Sequence, residues 1–147
     1  MIALLQRVDS ASVYINQEKY NSINKGILVF LGIDKNDSIN DVQYIIDKMI
    51  HLRIFNDQNH KMNLSIQDIG GEILLISQFT LLANTKRGRR PSFIDSADPK
   101  LANQLYNMFI NELETDNLII KTGQFGAMMD IKLTNSGPAT FILNSQL

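Results

Sequence analysis

The chain of 147 residues contains no cysteine and no tryptophan, only two histidines and only three prolines. Without cysteine there is no disulfide, no thiolate nucleophile and no Cys-ligated zinc. Two histidines leave little room for a Ser-His-Asp arrangement or a His-rich metal site. His51 reads as a partly buried residue late in a helix, beside Ile50 and Leu52. His60 reads as solvated, in the polar stretch 56–61. No pair of carboxylates stands out at the spacing that glycoside chemistry uses. No apolar run approaches a membrane span, and Met1–Leu5 is too short for a signal peptide, so a cytoplasmic protein is expected. An excess of charge of either sign is also lacking: 14 basic residues offset 15 acidic ones for a formal net charge of −1, so any contact with nucleic acid must come from a local patch.

What is present fits one folded domain over 1–147. Apolar residues make up 44% and charged residues 20%, enough to fill a core and too apolar for disorder. There is no Pro/Ser-rich linker and no repeat. Ile2 to Val8 reads as a strand, and Ala11, Val13 and Ile15 alternate with polar neighbours at the period of a half-buried one. Ile27 to Leu31 is continuously apolar, as in a strand covered on both faces. Ser38 or Asp37 can cap a helix whose stripe is Ile39, Val42, Ile45, Ile46, Met49 and Ile50. A turn at Asp68 to Gly71 leads to a strand over 72–79. Pro99 in a first turn opens a second helix, with Leu101, Leu105, Met108 or Phe109, and Leu113 inward. Two closing strands, 129–134 and 139–143, are expected to form a hairpin through Gly137-Pro138. Strands gathered at both ends with two helices between favour a layered, non-Rossmann α/β or α+β fold. Exposed strand edges in so small a domain invite a second subunit.

Three segments carry chemistry. Ser77-Gln78-Phe79-Thr80-Leu81 ends the very apolar run Ile73 to Ile76, which places hydroxyls, an amide and free N–H groups at a strand end. The bland reading is a strand end whose hydroxyls bond to nearby backbone. Thr80 lacks a neighbouring base that would make it a nucleophile. A hydrolase built here would therefore act on an activated bond, with orientation and backbone donors supplying most of the help. Asn135 to Thr140 contains Gly137-Pro138; an X-Pro bond takes the cis form at a cost of only ~0.5–1 kcal/mol. Gly137 permits close approach of a ligand, and the alternative is a plain turn. Lys86-Arg87-Gly88-Arg89-Arg90 packs four positive charges into five positions just after Thr80. It suggests an anionic ligand such as a phosphate backbone, against the alternative of a solvated loop. Met128-Met129 reads as core filler.

These residues, in this order, resemble the D-aminoacyl-tRNA deacylase family. The likeness runs from Gln6-Arg7-Val8 through Arg53-Ile54-Phe55, Met62 to Ser65, Ser77 to Leu81 and Gly88 to Phe93, and ends at Asn135 to Thr140. It implies an α/β fold, a layered β/β/α sandwich of largely antiparallel strands with two main helices. It implies a homodimeric editing hydrolase that cleaves the ester of D-aminoacyl-tRNA, and of mischarged glycyl-tRNA, with no cofactor and no metal. The site would lie between subunits. Ser77, Gln78, Phe79 and Thr80 would line the pocket for the adenosine and the ester. Gly137 and Pro138 of the partner, in the cis form, would screen the amino acid's handedness. Lys86, Arg87, Arg89 and Arg90 would hold tRNA. Ser136 stands where the family usually has Asp, and Ala139 where it usually has Val. Two readings compete with this one: a hydrolase with Thr80 as nucleophile, and a non-catalytic RNA-binding protein that uses loop 86–90.

Overall fold

The computed structural model describes residues 1–86, 88–114 and 118–146. In chain order the elements are β1 (Ile2–Ile15), β2 (Glu18–Ile23), β3 (Gly26–Gly32), α1 (Ile39–His51), β4 (Phe55–Asn56), β5 (Met62–Leu64) and β6 (Glu72–Ser77). A 3-10 turn (Phe79–Leu82), α2 (Pro99–Glu114), β7 (Ile119–Thr122) and β8 (Asp130–Asn144) complete the order.

β1 organises the sheet. Its first half pairs antiparallel with β3, from Ile2 opposite Gly32 to Val8 opposite Gly26. Its second half pairs with β2, from Ala11 opposite Ile23 to Ile15 opposite Glu18. Along its other edge it meets β8 over nearly its whole length. β3 continues to β6 and β6 to β7, both in parallel register. Ala3 and Leu5 face one core, whereas Val8, Ala11 and Val13 face another, so β1 passes from one layer into the next. Register shifts beside Val8 and after Val13 accompany that passage, as extra residues that bend and twist a strand do.

Two apolar layers result. Alternate residues of β3 and β6 (Ile27, Val29, Leu31, Ile73, Leu75) face the helices; Leu28, Leu74 and Ile76 face Val8, Ala11, Val13 and Ile23. The run Ile27 to Leu31 is thus covered on both faces, as its sequence predicts, and the β/β/α layering follows. A Cβ on Gly26 would lie 1.8 Å from the Glu72 carbonyl oxygen, so glycine alone lets β3 start this close to β6.

Both helices begin where the sequence places them, the first at its Ser38 cap and the second at Pro99. The Asp41 carboxylate accepts the Ser38 N–H at 2.8 Å and its hydroxyl at 2.9 Å. Burial pushes the Asp41 pKa up, but hydrogen bonds from Ser145 and Ser38 outweigh it and hold the group below its ordinary value. Asp98 accepts the N–H groups of Lys100 and Leu101 at 2.9 and 3.1 Å, with Pro99 at the first helical position. Val42, Ile45, Ile46, Met49 and Ile50 of α1 are buried, with Leu105, Tyr106, Phe109 and Leu113 of α2. Of the paired alternatives it is Phe109 that is buried; Met108 packs at the margin. The Tyr106 hydroxyl donates to the Leu75 carbonyl at 2.9 Å and so ties α2 to β6; burial pushes its pKa up.

The expected C-terminal hairpin is not formed. Residues 130–144 are one strand, and both parts pair with the same edge of β1. Gln6 lies opposite Thr140 and Val8 opposite Asn135, so Ser136 to Ala139 bulge out against Arg7 alone. Proline cannot donate to a ladder, and the chain is extruded where Pro138 would have to. β6 also ends two residues sooner than expected, since Phe79 enters the 3-10 turn.

Candidate functional site

β3 and β6 run parallel, and a cleft of about 550 Å³ opens beyond their C-terminal ends. Ligands commonly settle at that end of parallel strands. Ile76, Ser77, Gln78 and Phe79 form one wall, Leu31 and Ile33 the floor, Ser96 to Ala102 at the start of α2 a second wall, and Phe125 to Ile131 a third. The surface is mainly apolar, with hydroxyl and amide groups of Ser77, Gln78 and Ser96 set into it. Such a lining suits a flat, heteroatom-bearing ring better than a bare charge.

The geometry of Ser77 to Thr80 follows from its neighbours. Ile73 to Ile76 are fully packed, and the Gln78 N–H still bonds the Leu31 carbonyl at 2.8 Å, so the strand end is fixed. The chain then turns into a four-residue 3-10 segment, whose first N–H groups, on Phe79 and Thr80, have no backbone carbonyl as partner among the described residues. The Gln78 side-chain amide donates to the Thr80 hydroxyl. Phe79 is 58% exposed, and its ring meets Phe93 edge-on with centroids 5.0 Å apart. The Ser96 hydroxyl lies 3.4 Å from the Phe79 carbonyl.

Gly137 and Pro138 are presented differently. The peptide between them is cis, and Gly137 has φ +130°, a conformation that favours glycine. Arg7 braces the bulge from inside. Its Nε donates to the Ser136 carbonyl at 2.9 Å and its Nη1 to the Ile54 carbonyl at 2.6 Å. A Cβ on Gly137 would stand 2.6 Å from Arg7 Nη2. Asn135 closes the other side: its Oδ1 accepts the Ala139 N–H at 2.8 Å and its Nδ2 donates to the Thr140 hydroxyl at 2.9 Å. Ser136 joins this brace through its carbonyl, whatever its side chain.

The sequence-derived residues therefore fall into three places. Ser77, Gln78 and Phe79 line the cleft and Thr80 adjoins them. Gly137 and Pro138 do not line the cleft of their own chain. Lys86, Arg89 and Arg90 are exposed on a loop closed by reciprocal backbone bonds between Asn84 and Ser92 at 2.8 and 3.0 Å; Arg87 lies outside the described residues. Arg7 carried no role in the sequence reading. A cation inside an otherwise apolar strand was the available signal. Two readings change. Met129 packs against the inter-sheet core, but Met128 is 91% exposed on the cleft rim and is no core filler. The His51 side chain is 63% exposed, on the outer face of α1 beside Asp47 rather than partly buried. His60 is exposed in its loop, and neither histidine lines the cleft. Among the described residues, no three His, Asp or Glu side chains gather as a metal site requires.

Known proteins give the same picture along the whole chain. It is 53% identical to a D-aminoacyl-tRNA deacylase of Thermodesulfovibrio yellowstonii over 99% of this chain and 100% of that one. It is 49% identical to one of Clostridioides difficile over 99% and 97%. A solved structure described as a c-Myc DNA unwinding element binding protein superposes with a TM-score of 0.95 at 37% identity, covering 100% of both chains. Another, described as a probable eukaryotic D-amino acid tRNA deacylase, shares the fold with a TM-score of 0.81 at 17% identity over 97% of each. The family of D-Tyr-tRNA(Tyr) deacylases matches residues 4–144, a span that takes in the cleft wall, the basic loop and the braced bulge, and the chain belongs to it.

Proposed function

We propose that the protein hydrolyses the ester between a D-amino acid, or glycine, and the terminal adenosine of tRNA, and leaves L-aminoacyl-tRNA intact. One observation carries the reading: a braced Gly137-Pro138 pair lies at the surface and is no part of the cleft that Ser77, Gln78 and Phe79 line. A second copy of the chain brings the two together, so that each site uses the cleft of one subunit and the bulge of the other. The terminal adenosine enters the apolar cleft, and the N–H groups of Phe79 and Thr80 receive the negative charge that develops on the ester oxygen. An aminoacyl ester is already activated, so this needs neither a side-chain nucleophile nor a metal. The Gly137 carbonyl faces the α-hydrogen of a D-residue and collides with the side chain of an L-residue. A methylene contact in a pocket yields only ~1–3 kcal/mol of discrimination, whereas a collision with a fixed peptide yields far more. Glycine has no side chain to reject. Lys86, Arg89 and Arg90 hold the tRNA backbone. No helix among the described residues is long and apolar enough to cross a membrane, and we place the enzyme in the cytoplasm with its substrate.

The test is deacylation of matched D-, L- and glycyl-tRNA. Release of the D-residue and glycine with the L-ester spared supports the reading; equal rates for the two enantiomers refute it. Mixing Gly137→Ala chains with Gln78→Ala chains tests the shared site. Activity that returns on subunit exchange supports it, and activity confined to chains intact at both segments refutes it. The name of the 37%-identical structure keeps a non-catalytic nucleic-acid binder in view. That reading predicts salt-sensitive binding through the basic loop with no turnover.

A further inference from the structure

A second, shallower concavity of about 350 Å³ lies on the far side of the 3-10 turn from the cleft. Phe79 belongs to the cleft; Leu81 and Leu82, the other end of the same turn, wall the second concavity. The two are separated by one 3-10 turn, about 6 Å along its axis. Asn84, Thr85 and Lys86 form its outer rim, where the basic loop begins. Asp34 and Asp95 stand on its opposite side. Cleft, concavity and basic loop thus follow one another in the order of the chain.

We infer that this concavity is a subsite for the nucleotide preceding the terminal adenosine, and that it reads that nucleotide as cytidine. The inference rests on the reading that the cleft takes the adenosine. A strand whose last base lies in the cleft and whose phosphates reach Lys86, Arg89 and Arg90 must pass the 3-10 turn, and its next base meets the apolar wall of Leu81 and Leu82. The charge pattern selects the base. Asp34 uses Oδ1 for the N–H and side-chain amide of Asn36, at 2.9 and 3.1 Å. Asp95 uses Oδ1 for Lys35 Nζ at 2.8 Å. The second oxygen of each has no donor among the described residues. Two carboxylate oxygens repel phosphate and accept from an exocyclic amine, which cytosine presents and uracil does not. The rim residues Lys86, Thr85 and Asn84, which line the same concavity, carry the complementary donor groups, and among the described residues the Asn84 side chain uses only its Oδ1, for the Lys86 N–H at 3.0 Å. The 3′ end of tRNA is the same CCA in every tRNA, so such a reader suits an enzyme that must accept many tRNAs.

The test uses D-aminoacyl minihelix RNAs ending in CCA or CUA, with direct binding of the uncharged trinucleotides CpCpA and CpUpA. The C-to-U change is expected to weaken both turnover and trinucleotide binding by about 10-fold for the native protein. In Asp95→Asn the two sequences are expected to come within about twofold, because the remaining amide oxygen stays with Lys35 Nζ and an NH2 donor replaces the free carboxylate oxygen; Thr85→Ala narrows the gap by a separate route. Lys35→Met removes the partner of Asp95 but not its oxygens, and retains the preference. Equal binding and equal turnover of the two sequences by the native protein overturn the subsite, as does a preference that survives both Asp95→Asn and Thr85→Ala. A native protein that prefers CpCpA but releases no D-residue supports the subsite and refutes the hydrolase.

Discussion

The two halves of the proposed site are held by opposite kinds of force. Ser77 to Thr80 end a strand whose preceding residues, Ile73 to Ile76, are buried on both faces; burial of each such side chain contributes about 1.5–3 kcal/mol. Gly137-Pro138 sits in a strand that has lost its ladder, and its position is set by polar contacts from Arg7 and Asn135. A hydrogen bond to a charged group contributes about 1.5–3 kcal/mol, and it is directional where apolar packing is not. A receptor for a nucleoside tolerates the non-directional kind of support. A chirality gauge needs one peptide plane fixed in orientation, and directional contacts provide that.

That contrast can be attacked from its polar side first. Gly137→Ala places a Cβ against Arg7 in a backbone conformation that alanine resists, and is expected to lower kcat/KM for D-aminoacyl-tRNA by ~100-fold or more. Circular dichroism should stay native and Tm should fall only modestly, because of Ser136 to Ala139 only Ala139 is buried. A large loss of Tm would show that the bulge is structural and spoil the comparison. Arg7→Met comes next. It leaves the Ser136 and Ile54 carbonyls without their donor, and is expected to cost about 2–3 kcal/mol in denaturant unfolding and to lower the D-over-L ratio by ~10-fold or more. An unchanged ratio would mean that Asn135 alone fixes the peptide. On the apolar side, Thr80→Ala should lower kcat by less than ~10-fold with no acyl-enzyme trapped in mass spectra, since the hydroxyl's partner is an amide that cannot take its proton. A loss of several orders of magnitude would make Thr80 the nucleophile and this half chemical rather than receptive. Lys86→Ala should reduce the slope of log affinity for tRNA against log salt by about 0.7–0.9, which titration at several ionic strengths resolves.

The smallest effect concerns stability rather than the site. Asp68 and Asp57 are held below the usual carboxylate value, chiefly by hydrogen bonds from Ser65 and Asn63 respectively, as Asp41 is by Ser145 and Ser38. A depressed folded-state pKa stabilises the fold above the ordinary carboxylate pKa of about 3.9. The stabilisation is lost as pH falls through the depressed values. Thermal unfolding should therefore show Tm steady above about pH 5 and declining below about pH 4.

How much of this could be read from residues alone depends on whether the signal was local. The stripe of α1, its cap at Ser38, the start of α2 at Pro99 and the run Ile27 to Leu31 are decided within a few residues of themselves, and they appear where periodicity and local residue preference place them. β2, with the sequence Glu-Lys-Tyr-Asn-Ser-Ile, carries almost no apolar alternation and escaped notice because β1 supplies its partner and it lies at an edge. The Gly137-Pro138 segment misled for the complementary reason. Two strand-like runs around a Gly-Pro pair look like a hairpin until the register with β1, more than a hundred residues away, shows them to be one strand. Ser77 to Thr80 stood out because polar residues at the end of Ile-Leu-Leu-Ile are a local anomaly. Arg7 did not, because its two carbonyl partners come from positions 54 and 136.

The pairing of β1 with β8 has a temporal consequence. The first strand to leave the ribosome can dock with β3 early, but one of its edges waits for the last strand to be made. Contacts between such distant positions form late and slowly. The Gly137-Pro138 bulge exists only as an irregularity in that final pairing, and Ile131 of the same strand closes one wall of the cleft, so both halves of the proposed site are completed only when this strand docks. On the proposed reading, competence to edit would be conferred by the closing stretch of translation.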